Sequence, residues 1–502
     1  MLKLPAKFIT EMQDLWSCFD VPGKWQDFMD SFQDQASAGL LLNRLKLQSL
    51  DDLPYQDLEP VPWARAGYFL PPDHKLSASV YYRQGLFYLQ DPSAMLPGDL
   101  AEPQAGEKVL DLCAAPGGKA FAVLGSLGDQ GLLWANEINE KRARALSRNV
   151  ELAGSALCVV SCRDALGFSQ QILASQAFFD LVLVDVPCTG SAMFRKDSRA
   201  LRSWSRYRGP EVLDLQAAIL DEAAQNLRPG GRLVYSTCSY SWAENEGQVI
   251  QFLDRHPDFD LVPASRPGVS PGLADPEGRY PTQHTLRIWP HLSRGEGQFA
   301  ALLLKQEAGQ GKRNSSGCTI QERPPRSART VLEAWEAFKQ KNLSGSGRLA
   351  ASLKSGHFYL RAQEEKLHLL PALAPISPKS YYLKTGLYLG QTRGEVGSLD
   401  FQPSQALAQF VSLADPSWTL ELEECALLRA ALRGETLLID QVLAMLESQA
   451  GRLFREGTCA KVEELNAIPA GAYVALAFQG RILLWLKRQD HFFKNTYPRS
   501  WI

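Results

Sequence analysis

Three short stretches of this 502-residue chain hold residue types that could do chemistry together. Asp111–Lys119 reads DLCAAPGGK, Asp180–Gly190 reads DLVLVDVPCTG, and the third, around Cys238, reads YSTCSY. Cys188 and Cys238 each lie just past an apolar run, where a thiol can meet a ligand. A free thiol has a pKa of about 8.5 and is only slightly ionised at neutral pH, yet its thiolate is a strong nucleophile. Carbon 5 of a pyrimidine is too poor a nucleophile to take a methyl group directly. Adding a thiolate to carbon 6 makes it enamine-like, an acid against ring nitrogen 3 stabilises the adduct, and a base must then remove the carbon 5 proton. Two cysteines, an aspartate and a lysine are a sufficient set for that work.

Such residues must be carried to one place by strands that end side by side. Phe179–Val186 is apolar, rich in Leu and Val and too short for a helix, which predicts a strand buried on both faces of a parallel sheet. Ending it at Asp185 and turning through Pro187 puts Asp185 and Cys188 at the carboxyl edge, where open α/β sheets bind ligands. From Lys108 the pattern repeats. KVLDLC runs into AAPGGK and a helix from about Ala120; LLWANEI is followed by a helix in NEKRARALSRNVELAG; LCVVSC is a third strand. A helix over Glu211–Leu227 stops at RPGG before the strand RLVYSTCS, and Ala243–Arg255 is again helical. His284–Pro290 and Gln298–Gln306 read as a closing antiparallel hairpin. Strands alternating with helices predict an α/β fold, a doubly wound Rossmann-like sheet.

Acids then fall at successive strand ends: Asp111, Glu137, Asp164 and Asp185. Glu137 has the place at which an acid commonly takes ribose hydroxyls. The glycine-rich turn is neither GxGxxG nor a P-loop, since no Gly-Lys-Ser/Thr follows. Each acid alone could be a helix cap or turn residue. In series, without a phosphate-binding lysine-serine pair, they fit an uncharged-tail nucleoside cofactor, for which S-adenosyl-L-methionine is the natural candidate. Cys113, Cys158 and Cys162 read as buried structural thiols.

LDLCAAPGGKA, DVPCTGSAMFRKD and YSTCSY together resemble the motifs of the Nop/Sun family of RNA cytosine-C5 methyltransferases, over roughly Tyr81–Lys305. The resemblance implies Cys238 as the nucleophile on carbon 6 and Cys188 as the group assisting product release. It implies Asp185 against the base and Lys119 near both base and cofactor. The implied cofactor contacts are Cys113, Ala114, Ala115, Pro116, Gly117, Gly118, Lys119, Glu137, Arg142, Asp164 and Asp185, with no metal. RIWPHLSRGEGQFAALLL, RILLWLK and KNTYPRSWI resemble the bacterial small-subunit ribosomal RNA branch, the last two its C-terminal PUA-like RNA-binding module. Arg499-Ser500-Trp501 stands where that branch more usually has Gly-Leu-Arg.

Domain organisation is expected as an N-terminal α+β appendage over 1–78, a methyltransferase domain over 79–307, a polar linker over 308–330, an intermediate α+β part over 331–417 and a β-rich PUA-like module over 418–502. YYRQGLFYL, at Tyr81–Leu89, is expected to be a strand. Residues 1–310 carry 29 Lys+Arg against 37 Asp+Glu, a net of −8, while residues 311–502 carry 24 against 18, a net of +6. That weak basic bias fits a polyanionic partner or plain solvated surface. Nine scattered cysteines without a CxxC pair suit reduced thiols. No stretch approaches the roughly 18 apolar residues of a membrane span, and no signal-peptide core opens the chain, so a cytoplasmic monomer without membrane or DNA partners is expected.

One basic segment follows the Cys188 turn, MFRKDSRALRSWSRYR. Arg195, Lys196, Arg199 and Arg202 are expected to engage RNA phosphates, with Phe194, Trp204 and Tyr207 available to stack bases. A solvated loop is the alternative. Together these features point to methylation of cytidine carbon 5 in 16S ribosomal RNA, free or within the small subunit. The same chemistry on transfer RNA, and a catalytically silent RNA-binding assembly factor, are the alternatives. A DNA cytosine methyltransferase would leave STCS without a task, and an exocyclic-amine methyltransferase would want Asn/Asp-Pro-Pro-aromatic in place of DVPC.

Overall fold

The computed structural model describes residues 2–172, 178–307, 326–375, 382–394 and 399–501. Two helices, Ala6–Cys18 and Trp25–Ser31, lead into a three-stranded antiparallel sheet of β1 (Ala38–Leu42), β2 (Gly67–Leu70) and β3 (Phe87–Gln90), with β1 central. The expected strand over Tyr81–Leu89 is therefore only half right. Ser79 caps a short helix at Val80–Arg83, Gly85 turns the chain with φ +64°, and only Phe87–Gln90 is extended. Its partner is β1, Leu42 opposite Phe87, so the N-terminal sheet takes its third strand from beyond residue 78.

The central sheet is built from β4 (Lys108–Asp111), β5 (Leu132–Asn136), β6 (Cys158–Ser161), β7 (Phe179–Asp185) and β8 (Leu227–Thr237), all parallel, in the order β6-β5-β4-β7-β8. Their apolar runs are buried on both faces, as parallel strands between helices must be. RPGG does end the preceding helix, Pro210–Asn226, but continues as an irregular start to β8, with a register shift opposite Phe179–Leu181. Beyond β8 the sheet is extended antiparallel by β9 (Phe259–Leu261), β10 (Ser270–Pro271), β11 (Leu286–Ile288) and β12 (Gln298–Lys305). Strand order reverses between β4 and β7, the switch point at which doubly wound sheets open a crevice.

The polar stretch expected over 308–330 lies outside the described residues up to 325, and Arg326–Asn342 is helical. A four-stranded antiparallel sheet follows, from Phe358–Gln363, Lys366–Pro371, Leu387–Arg393 and Asp400–Pro403. Tyr382–Thr385 leaves it and pairs antiparallel with β6, closing the other edge of the central sheet. From Trp418 a seven-stranded mixed sheet forms, with Tyr473–Phe478 and Arg481–Arg488 joined as a hairpin. Its turn residues Gln479 and Gly480 both have positive φ, as a tight hairpin with native twist requires. No helix among the described residues is long and apolar enough to cross a membrane.

The basic segment after Cys188 is packed differently from the sequence expectation. Phe194 and Trp204 are buried against Phe8, with ring centroids 5.0 and 5.7 Å away, in an aromatic cluster that includes Phe28, Phe32, Tyr240 and Trp289. They are core, unavailable to bases, because the first helix lies over them. Arg195 is corrected as well. Its guanidinium is 6% exposed and makes an ion pair of 2.8 Å with the fully buried Glu296, and it also donates to the carbonyls of Ser31 and Gly295. It ties the N-terminal helices to the loop before β12. Lys196, Arg199 and Arg202 are exposed, with Arg199 turned back onto Asp197. Tyr207's side chain lies outside the described residues.

Candidate active site

The carboxyl ends of β4, β5, β7 and β8 meet at the switch-point crevice. β4 ends in Asp111 and enters the loop Cys113–Gly118, which opens the helix Gly118–Leu127. Gly117 has φ +114°, a conformation that favours glycine, and a Cβ on Gly118 would lie 2.1 Å from Gln90 Oε1 on β3, so the Gln90 side chain would have to shift. The outer side of the loop is held from the helix Glu140–Ala153. Arg142 Nη2 donates to Ala115 O at 2.7 Å and Asn149 Nδ2 to Pro116 O at 2.7 Å. Arg142 also pairs with Glu137 at 3.2 Å, and the other Glu137 oxygen accepts Asn139 N–H. Arg142 therefore supports the loop and the strand-end acid at once. Asp164, past β6, is exposed and accepts Leu166 N–H at 3.0 Å.

Asp111 is fully buried, and neither carboxylate oxygen has a hydrogen-bond partner. Burial first, with Asp185 adding to it and Lys119 opposing, pushes its carboxyl up to about 7. An unsatisfied buried carboxylate beside bare glycine backbone fits an aminoacyl-nucleoside cofactor, whose ammonium would supply the missing donors. Among the residues read as cofactor contacts, Cys113 through Lys119, Glu137 and Asp185 come together here. Arg142 stands behind them, and Asp164 lies at the rim. Burial also pushes the Cys113 thiol well up, so it is inert.

Asp185 ends β7 and is hydrogen-bonded on both oxygens. Oδ2 accepts Lys119 Nζ at 2.7 Å, and Oδ1 accepts Ser236 Oγ at 2.8 Å, with Gln298 Nε2 at 3.4 Å. Burial alone would lower Lys119, but the charge and hydrogen bond of Asp185 outweigh it and hold the ammonium above its usual range, with Asp111 and Cys238 adding. Because β7 and β8 are parallel neighbours with Asp185 opposite Ser236, the turns after them carry Cys188 and Cys238 to the same point. The two sulfurs are 3.3 Å apart. The hydrogen bond to Cys238 first, and burial second, push the Cys188 thiol well above its ordinary value, which favours its protonated form.

Sequence reasoning missed the residues that fasten this arrangement. Ser236 sits two positions before Cys238 and holds Asp185, and Gln298 comes from the antiparallel hairpin. Glu244, Gln216, Thr189 and Ser239 form a hydrogen-bonded cluster behind the thiols. The local text STCSYSWAENE could have suggested Glu244, but nothing local shows which way it faces.

A doubly wound sheet with a glycine loop and strand-end acids at its switch point defines the Rossmann-like class I methyltransferase fold. Residues 99–304 match the family model described as 16S rRNA methyltransferase RsmB/F, and residues 4–92 match the N-terminal domain of 16S rRNA methyltransferase RsmF. The chain belongs to the RsmB/F family. The N-terminal match ends at residue 92, two residues past β3, the last strand of the N-terminal sheet. Ribosomal RNA small subunit methyltransferase F of Erwinia tasmaniensis is 34% identical over 318 residues, covering 60% of this chain and 63% of that protein. The protein of the same name from Shewanella piezotolerans is 32% identical over 294 residues, covering 56% and 60%. The chain thus matches about three fifths of the length of these relatives. A solved structure described as PH0851 is 27% identical, with a TM-score of 0.53 over 60% of this chain and 66% of that one.

Proposed function

We propose that this chain methylates carbon 5 of cytidines in 16S ribosomal RNA, using S-adenosyl-L-methionine, through a covalent adduct between Cys238 and cytosine. The observation that carries this is the contact between Cys188 and Cys238 beside the Asp185–Lys119 pair. Binding alone has no use for two thiols at one point.

When bound, the cofactor supplies an electrophilic methyl group. Asp111, Glu137 and the loop Cys113–Gly118 would hold it, with Arg142 bracing them and Asp164 at the rim. Cys238, its proton released, bonds carbon 6 of the target cytosine, which must be unstacked to enter the crevice. The electron pair moves toward ring nitrogen 3, which takes a proton from the Lys119–Asp185 pair. That pair returns to charge neutrality when the proton goes back, leaving an enamine-like carbon 5 able to take the methyl group that the cofactor would supply, the electron pair of the broken sulfur–methyl bond staying on the cofactor's sulfur. Loss of the carbon 5 proton to a base then re-forms the 5,6 double bond as the carbon–sulfur bond breaks and Cys238 leaves as thiolate. Cys188, in contact with that sulfur, assists the release.

Lys196, Arg199 and Arg202 are assigned to RNA phosphates, and the seven-stranded sheet from Trp418 to the RNA-binding module of PUA type that its tail resembles. The partner is ribosomal RNA or the small subunit, in the cytoplasm. Action as a monomer is part of the proposal. Methyl transfer to ribosomal RNA, with the labelled atom mapped, tests the assignment.

A further inference from the structure

Glu244 is 2% exposed and lies six residues past Cys238. Its Oε2 accepts the backbone N–H of Thr189 at 2.9 Å and Gln216 Nε2 at 3.0 Å. Its Oε1 accepts Ser239 Oγ at 2.6 Å and the Thr189 hydroxyl. Four donors from three segments fill the acceptor sites of an ionised carboxylate. Among the described residues no cation pairs with it.

The origin of those donors matters more than their number. Thr189 follows Cys188, and Ser239 follows Cys238. Gln216 also donates to Pro187 O at 3.0 Å, on the other side of Cys188. The Thr189 and Ser239 hydroxyls are themselves 3.1 Å apart. Tyr235, on β8, donates to the Glu244 carbonyl at 2.5 Å, and Asn245 Nδ2 donates to Ser239 O at 2.8 Å, so the backbone under the carboxylate is fixed as well. One buried side chain thus joins the turns that carry the two thiols.

We propose that Glu244 is the positioning residue of the thiol pair, its carboxylate locking the turn after Cys188 to the turn after Cys238. The assignment rests on the cytosine chemistry proposed above. Its charge has a second effect. The groups facing Cys188 are Cys238, Tyr235, Glu244 and Asp185, the last paired with Lys119; after the Cys238 hydrogen bond and burial, the charges of Cys238, Glu244 and Asp185 all favour the protonated thiol. Glu244 therefore favours the protonated form of Cys188.

Glu244→Gln keeps the size but turns an N–H₂ toward donors and removes the charge. On the full chain without RNA, iodoacetamide labelling of Cys188, mapped by peptide mass spectrometry across pH, is expected to run at least threefold faster at pH 8 than in the parent. Methyl transfer to ribosomal RNA is expected to lose at least tenfold in kcat, with KM for S-adenosylmethionine within twofold. Glu244→Asp keeps the charge but not the reach. It should restore the labelling profile and leave kcat low. If Glu244→Gln does not fold, Thr189→Val, which removes one donor, should lower kcat severalfold with KM unchanged. Unchanged labelling and kcat in a folded Glu244→Gln, or unchanged kcat in Thr189→Val, would overturn the proposal. So would an equal loss of kcat and cofactor affinity. A parent protein that labels as expected but methylates no RNA would defeat the proposed function, while the labelling would still decide Glu244's hold on Cys188.

Discussion

The sulfurs of Cys188 and Cys238 touch at 3.3 Å although fifty residues separate them in the chain. Adjacent parallel strands bring them together, and their environments make them unequal. Cys188 is pushed up by its hydrogen bond to Cys238 and by burial, and Cys238 is the sulfur proposed to attack. Cys238→Ala should lower methyl transfer roughly 1,000-fold or more, the scale for loss of a covalent nucleophile. Cofactor binding should persist. Cys188→Ala should instead accumulate a covalent RNA–protein adduct, visible as a shifted band in a denaturing gel. An active Cys238→Ala protein would remove it as nucleophile.

Lys119 and Asp185 form a partly buried pair at 2.7 Å, with side chains 13% and 30% exposed. Asp185→Asn strands the ammonium and should cost about 1–3 kcal/mol, less than a fully buried pair because water reaches Asp185. Denaturant unfolding measures the cost. Single-turnover methylation should fall roughly 100-fold in Asp185→Asn and in Lys119→Gln, the scale for removing a preorganised charge.

Asp111 links cofactor binding to pH. Its carboxyl rises from 3.8 to about 7 on folding, chiefly through burial. Folding therefore takes up a proton between those values, and that contribution to stability is lost as pH rises through about 7. Relative to the parent, Asp111→Asn should gain stability between pH 4 and 7, with a limiting slope of about 1.4 kcal/mol per pH unit, and the gain should level off above 7. S-adenosylmethionine should bind the parent more tightly as pH rises to 7, with the trend flattened in Asp111→Asn. Melts and titration calorimetry at pH 5, 6, 7 and 8 check both, and a pH-independent gap would refute the linkage.

Arg195 and Arg199 should behave oppositely. Arg195→Met leaves Glu296 buried and unpaired and should cost about 3–5 kcal/mol. The folded fraction should keep the parent's salt dependence of RNA binding. Arg199→Ala and Arg202→Ala should leave stability unchanged and reduce the log–log salt slope by about 0.7–0.9 per lost phosphate contact. Filter binding across 50–300 mM salt is the readout, and an unchanged slope would make these residues plain surface.

Strand ends, the glycine loop and the thiol positions were legible because short apolar runs followed by an acid or Cys are local signals. Those residues lie together where the strands that carry them are parallel neighbours. What was misread depends on distant partners. Phe194, Trp204 and Arg195 look like an RNA-facing loop until Phe8 and Glu296 cover them from elsewhere in the chain. Tyr81–Leu89 reads as one strand, but only Phe87–Gln90 is extended and its partner is β1, far back in the chain, and nothing near Tyr382–Thr385 announces its pairing with β6. Glu244 is an acid at a helix start by its text, and its burial shows only once three turns converge on it.

The most direct measurement is methyl transfer from labelled S-adenosylmethionine to naked 16S ribosomal RNA, small ribosomal subunits and transfer RNA in parallel, with every labelled atom mapped. Label at carbon 5 of cytidine in ribosomal RNA, lost in Cys238→Ala, is the predicted result. Label on any other atom would contradict the chemistry, label in transfer RNA alone would contradict the substrate, and no label despite cofactor binding would make the chain a silent RNA-binding protein.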